Sequence, residues 1–369
     1  MSSTEIVQQF KQLNRSSPQF PDQLTSLLYK KEYRECIPNL KDEEVVWLIE
    51  YLDDVCLSVL LVFLSCFPHR TQILDTLQAD PSIPAFRRCL RELRRICGAR
   101  EQLPKSYMLE SSLLISGERP VASGGSGDVY EGSLNGSKVC VKRLRIYAGE
   151  RIPVAKETLH REAVMWKRLT HPNIVPLLGV TLEPLQLISV WMSGGELREY
   201  ITHHPGTDRL RLVFGVASGL TYLHFRNIIH GDLKGPNVLV DDTGSPRITD
   251  FGLAIVAQIQ DSIRSFQGDS GHTARWTAPE ILGGNGRHSK EADVFSFAMT
   301  MVEVFTGQVP FHPNSPHAAM LAILNKKRPQ RPNHPQITVE LWTLMESCWD
   351  HDPHHRPEIS TVLKTLGDS

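Results

Sequence analysis

The chain has 369 residues, 41% hydrophobic and 22% charged, which is enough apolar material for sizeable cores and too much for an intrinsically disordered protein. Forty Lys and Arg against 41 Asp and Glu leave a formal net charge of -1, so no bulk field draws the chain to nucleic acid or an acidic bilayer. Seven Cys without a C-x-x-C pair do not form an extracellular disulfide framework, and a reducing, cytoplasmic setting is expected.

The opening MSSTEIVQQFKQLNRSS has no basic stretch leading into an apolar core, so no signal peptide or organelle presequence is expected. Val45, Val46, Leu48, Ile49, Leu52 and Val55 recur at helical spacing, and residues 1–100 read as a small helical domain. The apolar run over 55–67 is too short for a bilayer, which needs about 20 residues, and reads as a buried core helix with no membrane span. After Pro81 and Pro84, Phe86, Leu90, Leu93 and Cys97 line one face of a helix while Arg87, Arg88, Arg91, Arg94 and Arg95 crowd the other, with Gly98 as a stop. That basic face reads as solvated, with a phosphate or acidic partner as the alternative.

Residues 101–116 read as a linker, after which strands are expected at 128–131 and 137–144, joined by the Asn135-Gly136 turn. Beyond residue 195 the helical period returns, as in Leu210, Leu212, Val213, Val216, Leu220 and Leu223. Strands followed by helices predict an α+β fold with two lobes.

Four segments carry chemistry. VASGGSGDVY over 121–130 is a glycine-rich hairpin whose small residues let backbone approach phosphates, although flexible turns look the same. In VCVKRL, Lys142 shares a strand face with Cys140 and can reach the cleft as a compact cation; a surface lysine is the blander reading. Glu162, on the helix before the His171-Pro172 break, could pair with it. IIHGDLKGPNVLV and RITDFGLA then supply Asp232, Lys234, Asn237 and Asp250, matching H-x-D-L-x-x-x-N and D-F-G in order, the groups that metal-assisted phosphoryl transfer requires.

With those motifs in hand, residues 117–367 resemble a eukaryotic protein kinase domain. ARWTAPE over 274–280, DVFSFAM from Asp293 and CWDHDPHHRP with Arg356 resemble the tyrosine-kinase-like group, and the segment FRRCLRELRRICGAREQLPKSY resembles linkers of fungal members. The resemblance implies a bilobal fold, with a β-rich lobe and a helical lobe, behind the helical N-terminal domain. It implies ATP and Mg²⁺ as cofactors and protein substrates with Ser or Thr acceptors, because Lys234 stands where the serine/threonine type has its loop lysine.

By resemblance, Val121, Ala122, Ser123, Gly124, Gly125, Ser126, Gly127 and Val129 cover the nucleotide. Lys142, held by Glu162, grips its phosphates. Ser189 guards the back pocket, Val190, Trp191 and Met192 form the adenine hinge, and Glu196 lies near the ribose. Asp250 and Asn237 hold metal, and Asp232 takes or orients the acceptor's proton. His230, Phe251, Trp166 and Leu177 form a regulatory hydrophobic column, and Glu280 with Arg356 a buried structural ion pair.

Four positions depart from the family pattern: Ala122 replaces the first loop glycine, Gly231 replaces the Arg that pairs with an activation-segment phosphate, Val190 replaces the common hinge Glu, and Trp166 is bulkier than the usual column residue. Activity is therefore expected not to need phosphorylation at Ser262, Ser265, Ser270, Thr273 or Thr277. The rival reading is a pseudokinase or scaffold that binds nucleotide or partners without turnover. For the helical domain, an adaptor that engages a signalling partner and an autoinhibitory cap both stand open. The His351, His354, His355 cluster reads as a loop between helices, with a metal site as the alternative.

Overall fold

The computed structural model describes residues 3–17, 19–66, 82–109, 113–124, 127–144, 152–250, 273–284 and 286–368. Helices α1 (Ser3–Gln12), α2 (Phe20–Tyr29), α3 (Lys31–Cys36), α4 (Asp42–Cys66) and α5 (Ser82–Arg100) form the N-terminal region. Its core is built on the expected face of α4, with Val45, Leu48, Ile49, Leu52 and Val55 buried and Val46 facing out. No helix among the described residues is long and apolar enough to cross a membrane.

Helix α5 differs from expectation in two ways. It runs through Gly98 to Arg100, because at Gly98 another helix passes too close for a larger side chain and tertiary packing overrides glycine's weak helix propensity. Its basic face is also only partly solvated: Arg91 is exposed, whereas Arg94 and Arg95 are half-buried. Arg88 is buried over the Tyr29 ring, 3.7 Å from its centroid, and donates to Leu28 O; Arg95 pairs with Glu92 at 2.9 Å; Arg100 pairs with Asp42 at 3.0 Å.

Residues 101–109 continue without leaving the protein surface free. A 3₁₀ turn at Lys105–Tyr107 buries Tyr107, Lys105 N donates to Glu50 and Ser106 Oγ to Asp53, and Leu109 N donates to Val180 O. Strands β1 (Leu113–Ser116), β2 (Ala122–Gly124), β3 (Gly127–Leu134), β4 (Ser137–Arg143), β5 (Leu177–Leu182) and β6 (Leu185–Val190) form one antiparallel sheet in the order β1-β3-β4-β6-β5, with β2 folded onto β3. Asn135 and Gly136 both take positive φ, 51° and 81°, as a two-residue hairpin loop demands, so Leu134 opposes Ser137. Helix α6 (Ile152–Trp166) crosses this lobe.

A small sheet of β7 (Gly195–Glu196), β8 (Val238–Val240) and β9 (Pro246–Ile248) opens the second lobe. Its helices are α7 (Leu197–His203), α8 (Arg209–Phe225), α9 (Pro279–Leu282), α10 (Lys290–Thr306), α11 (Pro316–Leu324), α12 (Val339–Cys348) and α13 (Ile359–Gly367). Side-chain caps fix four starts among the described residues: Asp208 accepts from Leu210 N and Arg211 N, Ser289 from Ala292 N, Ser315 from Ala318 N, and Thr338 from Leu341 N. Helix α10 is buried on nearly every face from Ala292 to Phe305, which makes it the pillar on which the loops of the site rest. Arg356 donates to both oxygens of Glu280 at 2.8 Å, the expected ion pair. The strand-rich and helical lobes together are the α+β bilobal architecture expected.

Candidate active site

The catalytic-loop residues are held from behind by α10. Asp293, in its first turn and buried, accepts from His230 N and Gly231 N at 2.8 Å each, and its Oδ2 lies 2.8 Å from His224 Nε2. A second acid from the same helix, Glu303, accepts from Gly235 N at 2.8 Å and Trp276 Nε1 at 2.7 Å; burial pushes its pKa up to about 7. Sequence reasoning treated α10 only as a buried helix and missed both anchors. The available signal was an acid at each end of an otherwise apolar run, since a buried carboxylate demands partners.

On that base the predicted polar groups converge. Lys234 Nζ lies 2.8 Å from Asp232 Oδ2, and Asn237 Nδ2 donates to both Asp232 O at 2.7 Å and Asp232 Oδ2 at 3.0 Å. Asp232 Oδ1 is buried and has no partner among the described residues. A carboxylate with one oxygen locked by a cation and an amide, and the other free, suits a proton acceptor for an incoming hydroxyl. Thr273 Oγ1 accepts from Lys234 Nζ at 3.1 Å, which ties the chain before α9 to the cluster. Of the five hydroxyls available in the activation segment, Thr273 is therefore part of the cluster, Thr277 donates to Thr273 O, and Ser262, Ser265 and Ser270 lie outside the described residues.

Lys142 on β4 crosses to this cluster, its Nζ donating to Asp250 Oδ1 at 2.7 Å. Asp250 sits at φ 57°, in the left-handed region that costs an ordinary residue roughly 1–2 kcal/mol, a strain retained where geometry has a use. The expected hold of Glu162 on Lys142 is not made. Glu162 is buried on α6 with neither carboxylate oxygen partnered among the described residues, and the lysine bonds Asp250 instead. Burial raises the Glu162 pKa to about 8; the charges of Lys142 and Arg94 oppose that rise and Asp250 adds to it.

The hairpin stands where the sequence put it. Ala122 opposes Val129, Gly124 opposes Gly127, Ser123 Oγ bonds Asp128 at 2.6 Å, and Val121 N donates to Val129 O. Gly127, at φ 153°, admits no side chain, since a Cβ would meet Arg143 O at 2.4 Å. Gly125 and Ser126 lie outside the described residues. Ser189 is buried at the end of β6 opposite Cys140, Val190 N donates to Pro176 O, and Met192 O accepts from Gly195 N. Trp191 is capped by Lys138, 4.3 Å from its ring centroid, and Glu196 lies 3.4 Å from Arg198 Nε. Of the expected hydrophobic column, His230, Trp166 and Leu177 are buried and Phe251 lies outside the described residues; burial depresses the His230 pKa, favouring neutral imidazole.

A glycine hairpin and lysine strand in one lobe, facing an Asp, Lys and Asn loop in the other, define the class. Residues 115–366 match the family described as protein tyrosine and serine/threonine kinase, and the chain belongs to that family. Among similar proteins, serine/threonine-protein kinase STY46 of Arabidopsis thaliana is 32% identical over 254 residues, 67% of this chain and 42% of that protein. Serine/threonine-protein kinase VIK of the same plant is 33% identical, covering 69% and 60% of the two chains. The tyrosine-protein kinase transforming protein Fps of an avian sarcoma virus is 31% identical, covering 72% and 50%. The chain thus spans about half the length of these relatives, and each match covers no more than about three quarters of the chain itself.

Proposed function

We propose that the protein is an ATP-dependent kinase that transfers the γ-phosphoryl group to Ser or Thr hydroxyls of protein substrates in cytoplasmic signalling. The observation that carries this reading is the Asp232, Lys234 and Asn237 cluster with its free Asp232 Oδ1. Lys234 also decides the acceptor, since it places a cation beside the base, as the serine/threonine-type loop does.

Residues present fit a divalent metal: Asp250 and Asn237 bring a carboxylate and an amide, hard oxygen donors suited to Mg²⁺. When bound, the ion neutralises charge on the phosphates. The chain's own residues do the rest. Lys142 leaves Asp250 to grip phosphate, the hairpin 121–129 covers the nucleotide, and Ser189, Val190, Trp191, Met192 and Glu196 seat its adenosine. Asp232 Oδ1 accepts the hydrogen bond of the acceptor hydroxyl and orients it, while Lys234 offsets charge on the moving phosphoryl group. The helical region 1–100 is a regulatory unit attached to the kinase domain 117–367.

Transfer of radiolabel from Mg-ATP to a mixed Ser/Thr peptide library tests this, with Asp232→Asn as control. Loss of about 10²–10⁴-fold in the variant is expected. Equal incorporation by both proteins would sink the enzymatic reading, and label on Tyr alone would sink the acceptor assignment.

A further inference from the structure

Helix α5 of the N-terminal region packs along α6, the helix that carries Glu162. The Arg161 side chain of α6 lies over Gly98, where an added Cβ would meet it at 2.7 Å. One turn earlier on α5 stands Arg94, half-buried, its Nε without a hydrogen-bond partner among the described residues. Glu162 is likewise buried and unpartnered, and it lies in the field of two cations, Lys142 from β4 and Arg94 from α5. A buried carboxylate left without a partner is costly, so either cation gains by capturing it.

Just beyond the C-terminal end of α6, less than two turns after Glu162, the N-terminal region grips firmly. Arg168 forms a buried ion pair with Asp53 of α4, donates also to Asp53 O, and bonds Tyr107 Oη at 3.1 Å. The helix is thus pinned near Arg168 and open to bias at Glu162.

We propose that Arg94 is a positioning residue: while α5 is docked on α6, it competes with Lys142 for the Glu162 carboxylate and holds the nucleotide-gripping pair open, so that displacing α5 raises phosphoryl transfer. Two features support this direction. Lys142 is occupied by Asp250 in the docked arrangement, and the Arg94 Nε, without a partner among the described residues, is a ready donor. The occupant of the open position is part of this chain, so a partner that pulls α5 away acts as an activator.

The proposal rests on the kinase reading, and the test separates the two. In the full-length protein, Arg94→Gln is expected to raise kcat/KM for Mg-ATP in the peptide-library assay by about fivefold or more. Arg94→Lys, which keeps the charge, should restore the low wild-type value, and Arg94→Gln combined with Glu162→Gln should erase the gain. A folded Arg94→Gln protein at or below wild-type turnover overturns the proposal.

Hydrogen exchange provides a readout that needs neither transfer nor a variant. Saturating Mg-ATP should speed amide exchange along 82–100 of the wild-type chain, because Lys142 then captures Glu162 and Arg94 loses the attraction of that carboxylate. Unchanged exchange overturns the proposal even if Arg94→Gln does not fold. Equal label incorporation by wild type and Asp232→Asn would remove only the kinase reading, and the exchange result would still decide the role of Arg94.

Discussion

Asp293 and Glu162 are both buried carboxylates serving the same cleft, one from each lobe, and their surroundings are opposite. Asp293 has both oxygens engaged, by two backbone amides and a histidine, whereas Glu162 has neither engaged among the described residues. The helical lobe therefore presents a catalytic loop whose charges are already settled, while the strand lobe holds a charge that awaits its partner. Preorganisation of the base and adjustability of the phosphate grip are divided between the lobes.

The sharpest way to break this comparison is at the pin that fixes α6. Arg168→Met leaves the Asp53 charge buried with only the Ser106 hydroxyl as a donor, and a loss of about 3–5 kcal/mol is expected by chemical denaturation. Asp53→Leu with Arg168→Met should recover most of it, and an additive loss in the double variant would show that the pair does not work as a unit. Next in size, Asp293→Asn should cost about 2 kcal/mol by the same measurement, through weakened charge-assisted bonds to His230 N and Gly231 N, and should lower peptide phosphorylation with little change in Mg-ATP affinity.

A third expectation concerns pH. Glu162 ionises at about 8 when folded and near 4.5 otherwise, so the folded state holds the proton more tightly. Its stabilisation is full below pH 4.5 and is lost as pH rises toward 8. Lys142 and Arg94 face it as cations and Asp250 as an acid. Glu162→Gln, which stays neutral, should melt higher than the wild type at pH 9 by about 1–3 kcal/mol equivalent and converge with it by pH 5. A constant difference across that range would contradict the burial account. The smallest effect is expected at the activation segment: replacing Ser262, Ser265 and Ser270 together by Ala should leave turnover within about twofold, since Gly231 offers no guanidinium to read a phosphate there.

Much of the site was legible because chemistry constrains residue type and spacing at once. Asp232, Lys234 and Asn237 lie within one loop, so their convergence needed no tertiary knowledge. The Asn135-Gly136 turn likewise fixed the register of β3 against β4, since only a few residue pairs take two positive φ values. Illegible were the contacts made between distant segments. That Lys142 bonds Asp250 and leaves Glu162 bare depends on where α6 is pushed, and α6 is pushed by α5 and by Asp53, far away in sequence. For the same reason the arginines of α5 read as solvated, since periodicity reports which face is apolar but not that a second surface covers the polar one. Gly98 read as a helix stop because local propensity is blind to a neighbour at 2.7 Å.

One cluster of buried side chains runs unbroken from Ile6 through Leu52, Leu93, Tyr107 and Trp166 to Val362. Melting should accordingly give one endotherm, with no earlier event for the first hundred residues. Cutting away that leading segment would bare apolar surface on the catalytic unit, so a chain without it should be prone to self-association.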